Sequence, residues 1–219
     1  MKQKKLGLIH TSATLVPVFA QLCKAKLPDV EVFNIADDSL VKGIMAAGSL
    51  TAQISRRVAG YLESAELAGA DYIMVTCSSI GPAVEAAAKL IGVPVLRVDQ
   101  PMADQAVQRG KRIGVVATLR TTLVPTADLV QRRAQAAGKD VQITSRLCEG
   151  AFEALMNGDT AKHDALVTGA LKHLSKQTDV IVLAQASMAR VVDGLADAGK
   201  RVPILASPAI AVDYLATVL

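Results

Sequence analysis

The chain repeats itself, and the two copies differ at the position best suited to chemistry. Asp71-Tyr-Ile-Met-Val-Thr-Cys77-Ser-Ser79 lies over Asp179-Val-Ile-Val-Leu-Ala-Gln185-Ala-Ser187, so that Asp71 meets Asp179, Ser79 meets Ser187 and Cys77 meets Gln185. Two flanking segments recur in the same order at nearly the same offset. Lys5-Leu-Gly7-Leu-Ile-His-Thr11 matches Arg112-Ile-Gly114-Val-Val-Ala-Thr118, and Val93-Pro94-Val-Leu matches Val202-Pro203-Ile-Leu. Such a duplication restricts the chain to two similar lobes, each offering one loop to a cleft between them. Only one of those loops has a thiol.

Within each copy, short β-branched runs alternate with longer Ala/Leu-rich amphipathic stretches. This is the pattern of βαβ units, so each lobe is expected to be α/β, a mainly parallel sheet flanked by helices. Strands are expected at 5–9, 30–34, 72–76 and 94–98, and again at 112–117, 141–145, 179–184 and 202–206. Helices are expected at 14–26, 49–68, 82–91, 100–109, 122–137, 147–157, 161–177, 187–198 and 208–217. Asn157-Gly158-Asp159 reads as a turn, and Gly92 and Gly138 as helix C-caps. The first lobe is expected over 1–99 and the second over 100–207, with Gln100–Gly110 crossing between them and 208–219 returning to the first.

Hydrophobic residues make up 51% of the chain and charged ones 20%, enough for a buried core and wrong for disorder. The net charge of +4 lies in no dense Lys/Arg run, and aromatics are only 3%, which argues against a nucleic-acid partner. The odd set of Cys23, Cys77 and Cys148 lacks CxxC spacing. Neither a disulfide framework nor a metal site is therefore expected, and a cytoplasmic location is. Lys2, Lys4 and Lys5 precede apolar residues as in a secretion signal, but His10, Thr11 and Ser12 break that run at once. With no run of transmembrane length, no membrane partner is expected. A second copy of the chain is a possible partner through the Ala-rich Met45–Gly48 region.

Ligands of open α/β sheets bind beyond the carboxyl ends of the strands. Four such loops pair through the repeat, His10–Thr14, Thr76–Gly81, Thr118–Thr122 and Gln185–Met188, and all carry polar side chains. Helix N-termini and hydroxyl donors suit a small carboxylate. Cys77 is the candidate thiol, because it ends a strand and precedes a helix whose amides would favour a thiolate. The alternative is a small buried hydrophobe, the reading that suits Cys23 and also Cys148. Thr11, Thr118, Thr121, Thr122, Ser79 and Ser187 have two open readings, ligand donors or helix caps. Gln185 follows an apolar run and needs hydrogen-bond partners, but it transfers no proton at neutral pH. His10 is a possible acid/base group or a hydrogen-bonded structural residue. Among these loops Arg120 is the one cation.

On these motifs the chain resembles the aspartate/glutamate racemase superfamily over nearly its whole length, a group that includes hydantoin racemases, maleate isomerase and arylmalonate decarboxylase. The resemblance implies two pseudo-symmetric α/β lobes, an active site in the interlobe cleft and no cofactor. It also implies one cysteine per lobe, acting on opposite faces of a carbon next to a carboxylate. Removing that proton leaves a planar carbanion, and inversion needs a second acid/base group on the far side. The chain departs from that pattern at Gln185. The expected function is thiol-mediated proton transfer by Cys77 on a small carboxylate. Thr11, Ser12, Thr76, Ser78, Ser79, Thr118, Thr121, Thr122, Gln185 and Ser187 would hold the substrate, with His10 or Cys148 as possible second acid/base. The alternatives are a single-cysteine carbon–carbon lyase, or a binding protein without turnover.

Overall fold

Strand β1 (Lys5–His10) is buried along nearly its full length and hydrogen-bonds on both sides, to β2 (Glu31–Ala36) and to β3 (Tyr72–Val75). With β4 (Val95–Arg97) beside β3, the first sheet is parallel throughout, in the order β2-β1-β3-β4. The second sheet repeats it as β6-β5-β7-β8, with β5 at Arg112–Ala117, β6 at Gln142–Leu147, β7 at Val180–Leu183 and β8 at Ile204–Ala206. The central strands are apolar runs because both of their faces are covered. This computed structural model describes residues 3–193 and 201–219. They form two units, Met1–Gln100 with Pro208–Leu219, and Pro101–Ser207.

In the first unit the two faces of the sheet bury two separate sets of side chains. Leu6, Leu8, Met74 and Leu96 pack on Phe19 and Cys23 of α1 (Val16–Lys26) and on Ala211, Val212 and Leu215 of α10 (Ser207–Val218). The terminal helix thus covers the first sheet, and burying Leu215 alone stabilises that contact by about 1.5–3 kcal/mol. On the other face Ile9, Ile73 and Val75 meet α2 (Asp38–Ala47), α3 (Ala52–Leu67) and α4 (Gly81–Ala88). Gly7 permits the close approach of α3, since a Cβ there would lie 3.3 Å from that of Ala65. Its repeat partner Gly114 makes room for Leu174 of α8 (Thr160–Leu174), at 3.4 Å. In the second unit, Val116, Ile181 and Leu183 form a core with α7 (Ala151–Met156), α8 and α9 (Ala189–Asp193). Helix α5 (Gln100–Arg109) belongs to the second unit from Pro101 on, and α6 (Arg120–Ala136) follows β5.

The three repeated segments have repeated mechanical roles. Asp71 accepts the Lys5 amide at 2.9 Å, while Asp179 accepts the Arg112 amide at 2.8 Å and the Arg112 guanidinium at 2.6 Å. Each carboxylate fixes the start of its central strand. The Pro94 carbonyl accepts from Ile73 and the Pro203 carbonyl from Ile181, both at 2.9 Å, setting the register of the outer strand.

Two details differ from the sequence expectation. Helix α2 was not expected, although Asp37 caps it through the Ser39 amide, Gly48 ends it at φ 67° and Leu40 and Ile44 form its buried stripe. Gly92 caps no helix. Helix α4 stops at Ala88, and the Gly92 amide instead donates to Glu66 at 2.6 Å. Gly138 does close α6, at φ 64°. The helix expected over 187–198 begins as the 3₁₀ turn Ala186–Met188 and continues as α9, and 194–198 lie outside the described residues.

Candidate active site

In the first unit, β1 and β3 end side by side, with the Thr76 amide bonded to the Ile9 carbonyl at 2.9 Å. That pairing brings Thr11 and Ser12 to the same end of the sheet as Thr76, Cys77, Ser78 and Ser79. Cys77 is extended (φ −133°, ψ 119°) and caps a single 3₁₀ turn, Ser78–Ile80, that runs straight into α4. Its thiol is unpaired and half-buried, whereas Ser78, Ser79, Thr11 and Thr76 are buried. Ser12 stays partly exposed and pairs with the Thr14 hydroxyl at 2.8 Å.

His10 is fully buried, and both ring nitrogens are engaged. Nε2–H donates to Asn34 Oδ1 at 2.9 Å, which leaves the Nδ1 lone pair facing the Thr76 hydroxyl at 2.9 Å. Burial pushes its pKa below the ordinary histidine value, although the Asn34 bond works the other way. The ring is therefore neutral at pH 7 and orients Thr76. The same end of the sheet holds a cluster that sequence reasoning missed. Asp37, just after β2, accepts from Arg57, from the Tyr61 hydroxyl at 2.5 Å and from the Ser39 hydroxyl at 2.6 Å. Arg57 is a second cation near the strand ends besides Arg120.

The second unit repeats the scaffold with different chemistry. Gln185 has φ −130° and ψ 134° and caps the 3₁₀ turn Ala186–Met188 ahead of α9, the counterpart of Cys77 in backbone as well as in sequence. Its Oε1 accepts the Thr118 amide at 2.6 Å and the Thr118 hydroxyl at 2.9 Å. An amide N–H can only donate, so the carbonyl oxygen must face Thr118, and Gln185 retains its NH₂, a donor, for a ligand. Thr122 is buried in the first turn of α6, while Thr121 and Ser187 are partly exposed. Cys148 sits beyond β6, with its amide on the Ala117 carbonyl at 2.8 Å. It lies in the second core, where burial pushes its thiol up to about 11 against the pull of Arg146.

Both thiol and amide therefore occupy the strand–turn–helix position that the duplication predicts. The family profile described as Asp/Glu/Hydantoin racemase matches residues 6–215. The chain belongs to this racemase family. It is 31% identical over 122 residues to a glutamate racemase of Gloeothece citriformis, a stretch covering 55% of this chain and 42% of that protein. The chain thus spans less than half the length of that curated relative. In fold it is similar to glutamate racemase isoform RacE1 of Bacillus anthracis (TM-score 0.78, 19% identity, 100% of this chain and 82% of that one). It is also similar to allantoin racemase of Klebsiella pneumoniae (TM-score 0.67, 16% identity, 98% of this chain and 87% of that one).

The first unit of this racemase-family chain also holds a cluster that the motifs did not reveal. Arg97, Asp99 and Glu85 form ion pairs at the end of β4, and both Arg97 and Asp99 are buried. A signal was available in Leu96-Arg97-Val98-Asp99, where two charges interrupt an apolar strand. Burial works against the Arg97 charge, but Asp99 and then Glu85 outweigh it and keep the guanidinium protonated. Among the described residues no group of three or more His, Cys, Asp or Glu is arranged to hold a metal ion. No described helix is long and apolar enough to cross a membrane.

Proposed function

We propose that the chain is an isomerase that moves a proton at a carbon next to the carboxylate of a small acid, with Cys77 as the acid/base thiol. The observation that carries this reading is the matched placement of Cys77 and Gln185 in the two halves. Cys77 acts from the N-cap of the turn that leads into α4. It takes the substrate's α-proton, and the negative charge that develops on the carboxylate oxygens needs fixed donors. Thr11, Ser12, Ser78 and Ser79, at the same end of the sheet as Cys77, supply such donors.

Gln185, which matches Cys77 in the second half, has no proton to exchange, so the chain lacks the second thiol of a symmetric racemase. His10 is neutral with both nitrogens occupied, and Cys148 is a buried thiol of high pKa, so neither suits that place. Water supplies the second proton if the product is inverted. The amide at Gln185 in place of a second thiol favours a second reading, in which Cys77 protonates one face of the carbanion left by loss of CO₂.

The test is α-proton exchange in deuterated water, followed by NMR over amino acids, hydantoins, hydroxy acids and malonates, with Cys77→Ala beside the wild type. Exchange that falls at least ~100-fold in the variant is the expected result. Inversion of the product supports racemisation, and retention or CO₂ release supports one-face chemistry. A variant with near-normal exchange would remove Cys77 from the mechanism.

A further inference from the structure

The two halves differ beneath their loops as well as in them. Under the thiol loop, Arg97 is only 3% exposed and Asp99 is 0% exposed. The guanidinium donates to both Asp99 oxygens, from Nε at 3.0 Å and from Nη2 at 2.7 Å, and its Nη1 donates to Glu85 at 2.7 Å. Glu85 stands one helical turn after Gly81 on α4. At Gly81 itself a Cβ would come within 2.2 Å of the Arg97 Cζ. The backbone there is ordinary right-handed helix (φ −50°, ψ −45°), so glycine is required for space and not for conformation. Gly81 also closes the 3₁₀ turn that Cys77 opens.

The second half provides an internal comparison. Arg97 pairs in register with Val75 on β3, and the matching pair on β7 and β8 is Leu183 with Ala206. The residue that closes the Gln185 turn is Ala189, in the place of Gly81. The half with the amide has neither the cation nor the bare backbone that would admit it. A buried Arg–carboxylate pair adds little stability over apolar residues of similar size, because desolvation offsets its attraction. What such a pair does impose is geometry, through donors fixed in a planar fork.

We propose that Arg97 is a positioning residue for Cys77. Through Glu85 and the open face of Gly81, it ties the end of β4 to the first turn of α4 and so fixes the turn that presents the thiol. Its importance for turnover rests on the reading of Cys77 as the acid/base group, but the tie itself does not.

The experiment measures the rate at which iodoacetamide alkylates Cys77 as a function of pH, by peptide mass spectrometry, in the wild type, Gly81→Ala and Glu85→Gln. Glu85→Gln leaves the Arg97–Asp99 pair in place, so its circular dichroism and melting are expected to stay close to wild type, whereas Gly81→Ala must displace the guanidinium and is expected to keep the wild-type circular dichroism but melt lower. In both, alkylation of Cys77 at neutral pH should fall about threefold to tenfold, as the turn that presents the thiol loses its fixed course. Profiles that superimpose on the wild type's in both variants would overturn the proposal and reduce the cluster to packing. Alkylation needs no substrate, so loss of the Cys77 reading in the proton-exchange test leaves this result standing on its own.

Discussion

Arg97→Met tests how much of the first unit depends on one buried cation. The methionine fills similar volume but removes three hydrogen bonds, two of them to the Asp99 carboxylate, which is 0% exposed. Glu85 keeps access to water, with its side chain 36% exposed, so nearly all of the penalty falls on Asp99. Stranding one partner of a buried ion pair costs about 3–5 kcal/mol. In a unit of this size that corresponds to a fall in melting temperature of more than about 10 °C. Urea denaturation followed by circular dichroism measures the loss, and Arg97→Met/Asp99→Leu supplies the control. With both charges gone, the double variant should recover at least about 2 kcal/mol relative to the single one. An Arg97→Met protein within about 1 kcal/mol of wild type would refute the reasoning. A double variant no more stable than the single one would do the same.

Two further outcomes follow from the same geometry. Arg112 holds the Asp179 carboxyl down to about 2 from its ordinary value of 3.8, and a depressed carboxyl contributes stability above 3.8 that is lost as the pH falls toward 2. Asp179→Asn should therefore be less stable than wild type at neutral pH, with the gap closing in acid; acid unfolding curves that stay parallel would contradict this. Among the thiols, burial pushes Cys23 and Cys148 up to about 11. Brief alkylation of the native protein at neutral pH should mark Cys77 alone, and intact mass showing a second adduct would count against the burial of the other two.

Much of the fold was legible because a buried parallel sheet writes itself as apolar runs, and here three of the runs were written twice. Six of the eight strands follow from that doubling, as does the equivalence of Cys77 and Gln185. Helix α2 was hidden because its ten residues include Gly43 and start from Asp37-Asp38, which reads as a loop, while only Leu40 and Ile44 mark its buried side. Gly92 misled for the opposite reason. A glycine after an apolar helix looks like a cap, yet its role is set by Glu66, far away in sequence. The bonds that define the half-sites are of this non-local kind. His10 reaches Asn34 and Thr76, and Thr118 reaches Gln185, and no spacing rule links those positions. The fold is written in periodicity, whereas the state of each candidate group depends on partners that only the folded chain brings together.

The placement of the repeated aspartates bears on how such a chain can acquire new chemistry. Asp71 and Asp179 brace the amino ends of their sheets, on the side away from the strand-end loops. Structural obligation is thus concentrated at one rim and chemical freedom at the other. A duplicated scaffold wired in this way can trade a sulfur for an amide in one copy while both backbones keep the same course. Each half then becomes a socket whose reactive insert can be exchanged separately. A sister protein could reverse the arrangement, thiol in the second half and amide in the first, without rebuilding either sheet.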